Sequence, residues 1–153
     1  MKCSTIFFFL LIFSSCHPFD TRLNVTNQSK ENIYYEHSWS SKTDSINPVK
    51  ENANYYMNVL KRIPFEKIEP KDTSNIFLDQ GTYDNFFKEK TNNLFCISLY
   101  NADALDSLYR IGHLENAVPL RTDCFGNIEE LKKIDWLYVF KKLSNDSPRR
   151  SLR

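Results

Sequence analysis

Leu94-Phe95-Cys96-Ile97-Ser98-Leu99-Tyr100 opens the stretch on which the fold turns, and Trp136-Leu137-Tyr138-Val139-Phe140 closes it. In the first run Phe95, Ile97 and Leu99 share one face, and Leu94, Cys96, Ser98 and Tyr100 share the other. Apolar side chains on both faces predict a central strand covered on both sides. Asn101 follows as a helix cap, with Asp103 and Asp106 near the positive end of the helix dipole. Leu105, Leu108 and Tyr109 form that helix's apolar stripe, and Gly112 is its terminator. Val118 to Arg121 is expected to be a short edge strand, limited by Pro119. Asn127 with Glu130 three residues on resembles a capping box. It starts a second helix with Ile128, Leu131 and Ile134 inward, and the aromatic run then forms the last strand.

Upstream, Arg22 to Thr26 alternates polar and apolar, and Ile33-Tyr34-Tyr35-Glu36-His37 is β-branched and aromatic. These two strands are expected to pair as a hairpin across a polar turn. The segment 38–54 is polar, carries Pro48, and reads as a long surface loop. Tyr55 to Ile63 fits either a helical face or a strand, and Pro64 stops it. Phe65 to Ile68 suits a short strand, 71–75 a turn, and Ile76 to Leu78 a brief apolar piece. Thr82 caps a short helix whose inner face is Tyr83, Phe86 and Phe87.

The 153 residues suffice for one domain, and 41% hydrophobic with 25% charged is an ordinary globular balance. The expected fold class is α+β, a small β-rich domain (mixed sheet or sandwich-like) with two or three short helices. With 20 basic against 19 acidic residues, bulk charge does not point to nucleic acid.

The amino terminus has the layout of a signal peptide: Lys2, an apolar run from Ile6 to Phe13, then Ser14-Ser15 and Cys16. The run is too short to span a bilayer. Small residues directly before Cys16 resemble the lipobox of bacterial lipoproteins, in which the cysteine is lipidated and becomes the first residue of the mature chain. Phe13 stands where Leu is commonest, a substitution common in lipoproteins of the Bacteroides group. Lipidation at Cys16 would anchor the protein to a membrane without a charged surface, since loss of Lys2 leaves the mature chain balanced. His17-Pro18-Phe19-Asp20 lacks the acidic run that resembles a surface-export signal, which favours the periplasmic face of the envelope over the outside. The organisation expected is a signal peptide over 1–15, a tether over 16–21, one domain over 22–140, and a basic, disordered tail over 141–153.

The chain also resembles a family of small Bacteroides-group lipoproteins. The likeness rests on the strand running into Asn101-Ala102-Asp103-Ala104-Leu105, on Leu120-Arg121, and on Glu130-Leu131-Lys132-Lys133-Ile134-Asp135-Trp136. An amino-terminal segment rich in Asn and Tyr, from Asn24 to Tyr35, extends it. The segment from Thr122 to Gly126 departs from the pattern. The resemblance implies an envelope location and a fold and carries no activity.

With Cys3 in the signal and Cys16 lipidated, Cys96 and Cys124 remain. An oxidising compartment allows a disulfide between them, which the chain-entropy model values on the order of 3 kcal/mol. Two buried free thiols are the alternative. No C-x-x-C suggests zinc or a thioredoxin-type pair. His17 falls in the tether, His37 and Glu36 point to opposite faces, and His113 stands near Glu115 without a further ligand. No phosphate loop or nucleophile-elbow motif occurs, so no catalytic residue, metal or cofactor is assigned.

Aromatics are the remaining candidates. Trp39, flanked by serines, is the first choice for a ligand contact, with Tyr34 and Tyr55 beside it. Asp44-Ser45-Ile46 and Asp106-Ser107-Leu108 resemble an O-glycosylation motif of Bacteroides-group secreted proteins, with Ser45 in a loop and Ser107 on a helix. The leading functional expectation is a non-enzymatic, lipid-anchored envelope protein that binds or scaffolds an envelope protein or glycan. A glycan- or peptide-binding module using the loop aromatics is the alternative. A third reading is an envelope hydrolase or redox protein using Cys96, Cys124 or His113. A free reactive thiol would favour that reading, and a locked disulfide would oppose it.

Overall fold

The computed structural model describes residues 20–40, 47–76, 78, 81–89 and 94–142. Among these the chain is a small α+β fold with seven strands in two sheets and four short α-helices. Strands are β1 (Asn24–Asn27), β2 (Ile33–Ser40), β3 (Glu66–Ile68), β4 (Thr73–Asn75), β5 (Leu94–Asn101), β6 (Arg121–Phe125) and β7 (Leu137–Phe140). Helices are α1 (Pro48–Tyr55), α2 (Tyr83–Glu89), α3 (Ala102–Arg110) and α4 (Ile128–Lys133). One sheet runs β3-β2-β5-β6, antiparallel throughout. The other runs β4-β1-β7, with β1 antiparallel to β4 and parallel to β7.

β5 is central, as its two apolar faces require. Its Phe95, Ile97 and Leu99 face, with Ile33 and Tyr35 of β2, joins Leu23, Val25, Tyr138 and Phe140 in one core between the sheets. The opposite face, through Tyr100, packs with Val49, Ala53 and Tyr56 and with Leu105 and Leu114. The four-stranded sheet is therefore the middle of three layers, with the small sheet on one side and helices on the other.

The caps fall where side-chain chemistry places them. Asn101 accepts from the Ala104 N–H at 2.9 Å and Asn127 from the Glu130 N–H at 3.1 Å. The Glu130 carboxylate reaches back past the cap to accept from the Gly126 N–H at 2.7 Å, a variant of the capping box. Gly112 sits at φ +81° beyond α3, a conformation that costs glycine little.

Four expectations are corrected. β1 and β2 do not pair as a hairpin; they lie in different sheets. Asn27 explains the divergence. Wholly buried, it donates to the carbonyls of Glu31 and Ile68 and accepts from the Ser29 amide and hydroxyl. That satisfies a polar turn which leads the chain from one sheet to the other. The supposed loop 38–54 contains the end of β2 and α1, which starts with Asn47 as cap and Pro48 in its first turn. Thr73–Asn75, read as a turn, is β4. The strand expected at Val118 to Arg121 begins only at Arg121 and runs on to Phe125. The ambiguous 55–63 segment is helical: α1 runs into a π-helical turn over Tyr56–Leu60, and Lys61 at φ +52° ends it.

At the amino-terminal end the fold already holds Asp20, two residues before the expected domain boundary. Asp20 bridges to Leu78, accepts from the Arg22 guanidinium at 2.7 Å, and accepts from the Tyr83 N–H at 2.9 Å. Burial alone would raise its carboxyl pKa, but the hydrogen bonds from Arg22 and Tyr83 outweigh it and hold the group below the ordinary value of 3.8. Because the folded value is depressed, this contribution is present at neutral pH and is lost as pH falls below about 3.8. Arg22→Ala, followed by urea unfolding, is expected to cost about 2 kcal/mol at neutral pH, less than a fully enclosed pair because the guanidinium reaches water. The cost shrinks in acid as Asp20 protonates. At the other end Lys142 pairs with Glu31, so the chain expected to be tail from 141 onward is tied down at that residue; 143–153 lie outside the described residues.

Candidate functional site: a groove between two open sheet edges

β6 ends one sheet and β7 ends the other, so neither has a second strand neighbour among the described residues. The two edges line one groove of about 710 Å³. β6 contributes Arg121, Asp123, Cys124 and Phe125, β7 contributes Leu137, Tyr138 and Val139, and α4 contributes Glu130, Lys133 and Ile134. α4 connects the strands and sits at the end of the groove.

Backbone register shows which polar groups face it. Cys96 and Cys124 are directly opposed with Cα atoms 4.0 Å apart, the spacing of a non-hydrogen-bonded antiparallel pair. The Leu99 carbonyl accepts from the Leu120 N–H at 2.7 Å, so the alternate β5 residues are the ones turned toward β6. The N–H and C=O groups of Thr122 and Cys124 consequently point away from β5, to the open side. On β7 the carbonyls of Trp136 and Phe140 accept from Asn24 and Gln28. The main-chain groups of Val139, one residue out of that phase, point outward instead. Among the described residues these are unpaired ladder positions of the kind that pair with another strand.

Side chains set the character of the groove. Arg121 pairs with Asp123 and lies over the Tyr138 ring at 5.3 Å, and the Tyr138 hydroxyl donates to Asp123. Burial, with Asp123 beside it, pushes the Tyr138 hydroxyl pKa well above the usual tyrosine range, so it stays a neutral donor. Glu130 is committed to its cap. Lys133 has no ion-pair partner among the described residues, which leaves one uncommitted cation at the rim. Leu137, 41% exposed, supplies apolar surface.

A second polar site lies on the helix-facing side of the same sheet. Glu36, Ser38, Cys96, Ser98, Thr122 and Cys124 share that face by register. Cys96 and Cys124 are joined as a disulfide, which resolves the two thiol alternatives. Burial pushes the Glu36 carboxyl up to about 7, against a hydrogen bond from the Tyr56 hydroxyl at 2.9 Å that lowers it. Glu36 Oε2 and Ser38 Oγ are buried without a hydrogen-bond partner among the described residues.

The candidate aromatics are not brought together. Trp39 is not a loop residue. It lies on β2, packs with Phe86, Phe87 and Phe95 against the core, and is partly buried. The expectation that Trp39 stands outside the packed interior is corrected: alternation from Ile33 through Tyr35 and His37 puts it on the inner face. Tyr34 is on the other face, half-buried, donating to Asp106 at 2.9 Å. Tyr55 is 50% exposed at the end of α1. His37 and Glu36 do point to opposite faces, and His113 forms an exposed pair with Glu115 at 3.0 Å. That contact with His113 lowers the Glu115 carboxyl pKa. Cys16 and Ser45 lie outside the described residues, and Ser107 is exposed on α3.

The groove residues Arg121, Asp123, Lys133 and Val139 are not among the site residues expected from the sequence, and neither is Glu36 as a buried acid. The faint signal was the alternation of Thr122 and Cys124 against Arg121, Asp123 and Phe125. Among the described residues no group of three or more His, Cys, Asp or Glu is placed to hold a metal, and no helix is long and apolar enough to cross a membrane. No family model, curated protein or solved structure matches the chain.

Proposed function

We propose that the protein is a lipid-anchored envelope protein that binds an extended peptide segment of a partner. The segment adds as a strand in the groove between β6 and β7. The observation that carries this reading is the outward-pointing main chain of Thr122, Cys124 and Val139 on two edges facing one groove. Strand addition draws affinity from such groups and specificity from the side-chain pockets beside them. The uncommitted Lys133 favours a segment with an acidic residue at that point. The amino-terminal layout ending in Cys16 supports membrane attachment through lipid, on the periplasmic side, and makes the role one of binding or scaffolding at the envelope.

Proline provides a selective test, because it removes an N–H and is tolerated on edge strands. Thr122→Pro and Val139→Pro delete outward donors and leave the main-chain ladders of both strands intact, Thr122→Pro also removing the 3.0 Å hydroxyl contact with Ser98. A photo-cross-linking residue in place of Leu137 is expected to capture a discrete partner in cells, with loss of the adduct in either proline variant at unchanged protein level. An adduct that persists in both variants contradicts the strand-addition reading. Cys16→Ala is expected to release the protein from the membrane fraction, and retention there refutes the lipid anchor separately.

A further inference from the structure

Cys96 and Cys124 differ sharply in access. Cys96 is 0% exposed on the central strand, whereas Cys124 is exposed on an open edge. A thiolate approaching the folded protein therefore meets Cys124 Sγ and not Cys96 Sγ. On the same face Ser38 is directly opposite Cys96, and Glu36 is its diagonal neighbour, a spacing of about 7 Å that a long side chain covers. Among the described residues Ser38 Oγ and Glu36 Oε2 are the buried side-chain oxygens without a hydrogen-bond partner. Such groups are costly to leave unpaired, and a disulfide sulfur is a poor acceptor for them. A Cys96 thiolate would be a good one. The unsatisfied pair thus lies on the sheet face of Cys96, one residue directly across from it and the other diagonal to it.

We propose that the Cys96–Cys124 disulfide is a thiol-exchange site, attacked at Cys124, with Ser38 and Glu36 receiving the Cys96 sulfur. The incoming thiolate forms an S–S bond to Cys124 Sγ as the Cys124–Cys96 bond breaks, and the bonding pair leaves on Cys96. Ser38 donates a hydrogen bond to that thiolate, and the protonated Glu36 carboxyl gives it a proton. In the reverse step Glu36 takes the proton back, Cys96 attacks Cys124, and the partner thiolate is expelled. The co-reactant is a thiol, and no other oxidant or reductant is needed. A thiolate, not a thiol, is the attacking species in either direction.

Glu36 suits both steps because it changes protonation near neutrality. Among the described residues the titratable groups around it are Tyr56 on the π-helical turn, Glu51 on α1 and Tyr100 on β5. Burial raises both tyrosines above their usual range, so they stay neutral while Glu36 titrates. This inference does not depend on peptide binding in the groove.

The test uses the folded, unmodified disulfide. The protein is incubated with excess reduced glutathione, quenched by alkylation, and mapped by mass spectrometry. The expected result is a glutathione adduct on Cys124 and an alkylated Cys96, formed faster than global unfolding measured in parallel. Glu36→Gln is expected to slow re-closure of the isolated adduct on the order of tenfold and to abolish the break in its pH profile near neutrality. This lies below the usual general-base range because a thiol is already partly ionised near neutral pH. An adduct on Cys96, exchange no faster than unfolding, or an unchanged pH profile in Glu36→Gln would overturn the proposal.

Discussion

Phe95→Ala is expected to destabilise the protein by about 3–5 kcal/mol, the usual cost of emptying a large buried aromatic site. Phe95 is 0% exposed and sits on the central strand. Its ring lies 4.5 Å from Trp39, 5.5 Å from Tyr83 and 5.9 Å from His37. It is the point where β2, β5 and α2 meet, and its cross-strand partners on either side are Trp39 and Phe125. Collapse around the vacancy is resisted because Trp39 is already packed on Phe86 and Phe87, so little relaxation offsets the cavity. Net stability of a domain this size is commonly 5–15 kcal/mol, and the substitution removes a large part of it. Urea unfolding monitored by tryptophan fluorescence measures the loss. A change below about 1 kcal/mol would mean that the two layers do not meet at this ring.

Replacing both Cys96 and Cys124 by Ala is expected to cost about 3–4 kcal/mol. The disulfide closes a loop with a sequence separation of 28, and the chain-entropy model gives that range for such a loop. The two cysteines join β5 to an edge strand held on one side only, so the loss concentrates on β6. Linkage works in both directions: the fold that the disulfide stabilises favours re-closure over lasting reduction by the same amount. Exchange at Cys124 therefore produces a transient adduct that Cys96 resolves, rather than a stably reduced protein. Calorimetry of the double variant against the parent tests the magnitude.

The elements legible in the sequence were those whose signals are local. β5 declared itself through two apolar faces, and α3 and α4 through Asn101, Asn127 and Glu130, whose side chains bond amides within the same turn. Strand pairing was not legible, because period-two alternation marks a strand without naming its neighbour. β1 looked like half of a hairpin with β2, yet its partners β4 and β7 come from distant parts of the chain. α1 was hidden because its buried apolar side chains are few, Val49 and Ala53 four apart beside Pro48, and most of the rest is polar. Its real signal was Asn47-Pro48. β6 was missed for the reason that makes it interesting. As an open edge it carries Arg121, Thr122, Asp123 and Cys124, and the more apolar Val118 and Leu120 just before it are exposed instead. The groove could not be seen without the sheet order, since β6 and β7 belong to different sheets.

The measurement closest to the central claim is amide hydrogen exchange on the purified domain with and without peptides selected from a displayed library against it. Strand addition predicts slowed exchange at Thr122, Cys124 and Val139, the amides turned away from the neighbouring strands, with the remaining β6 and β7 amides already protected in the free protein. Protection confined to another surface, such as that around Tyr55, or selected peptides that leave these three amides unchanged, would contradict it.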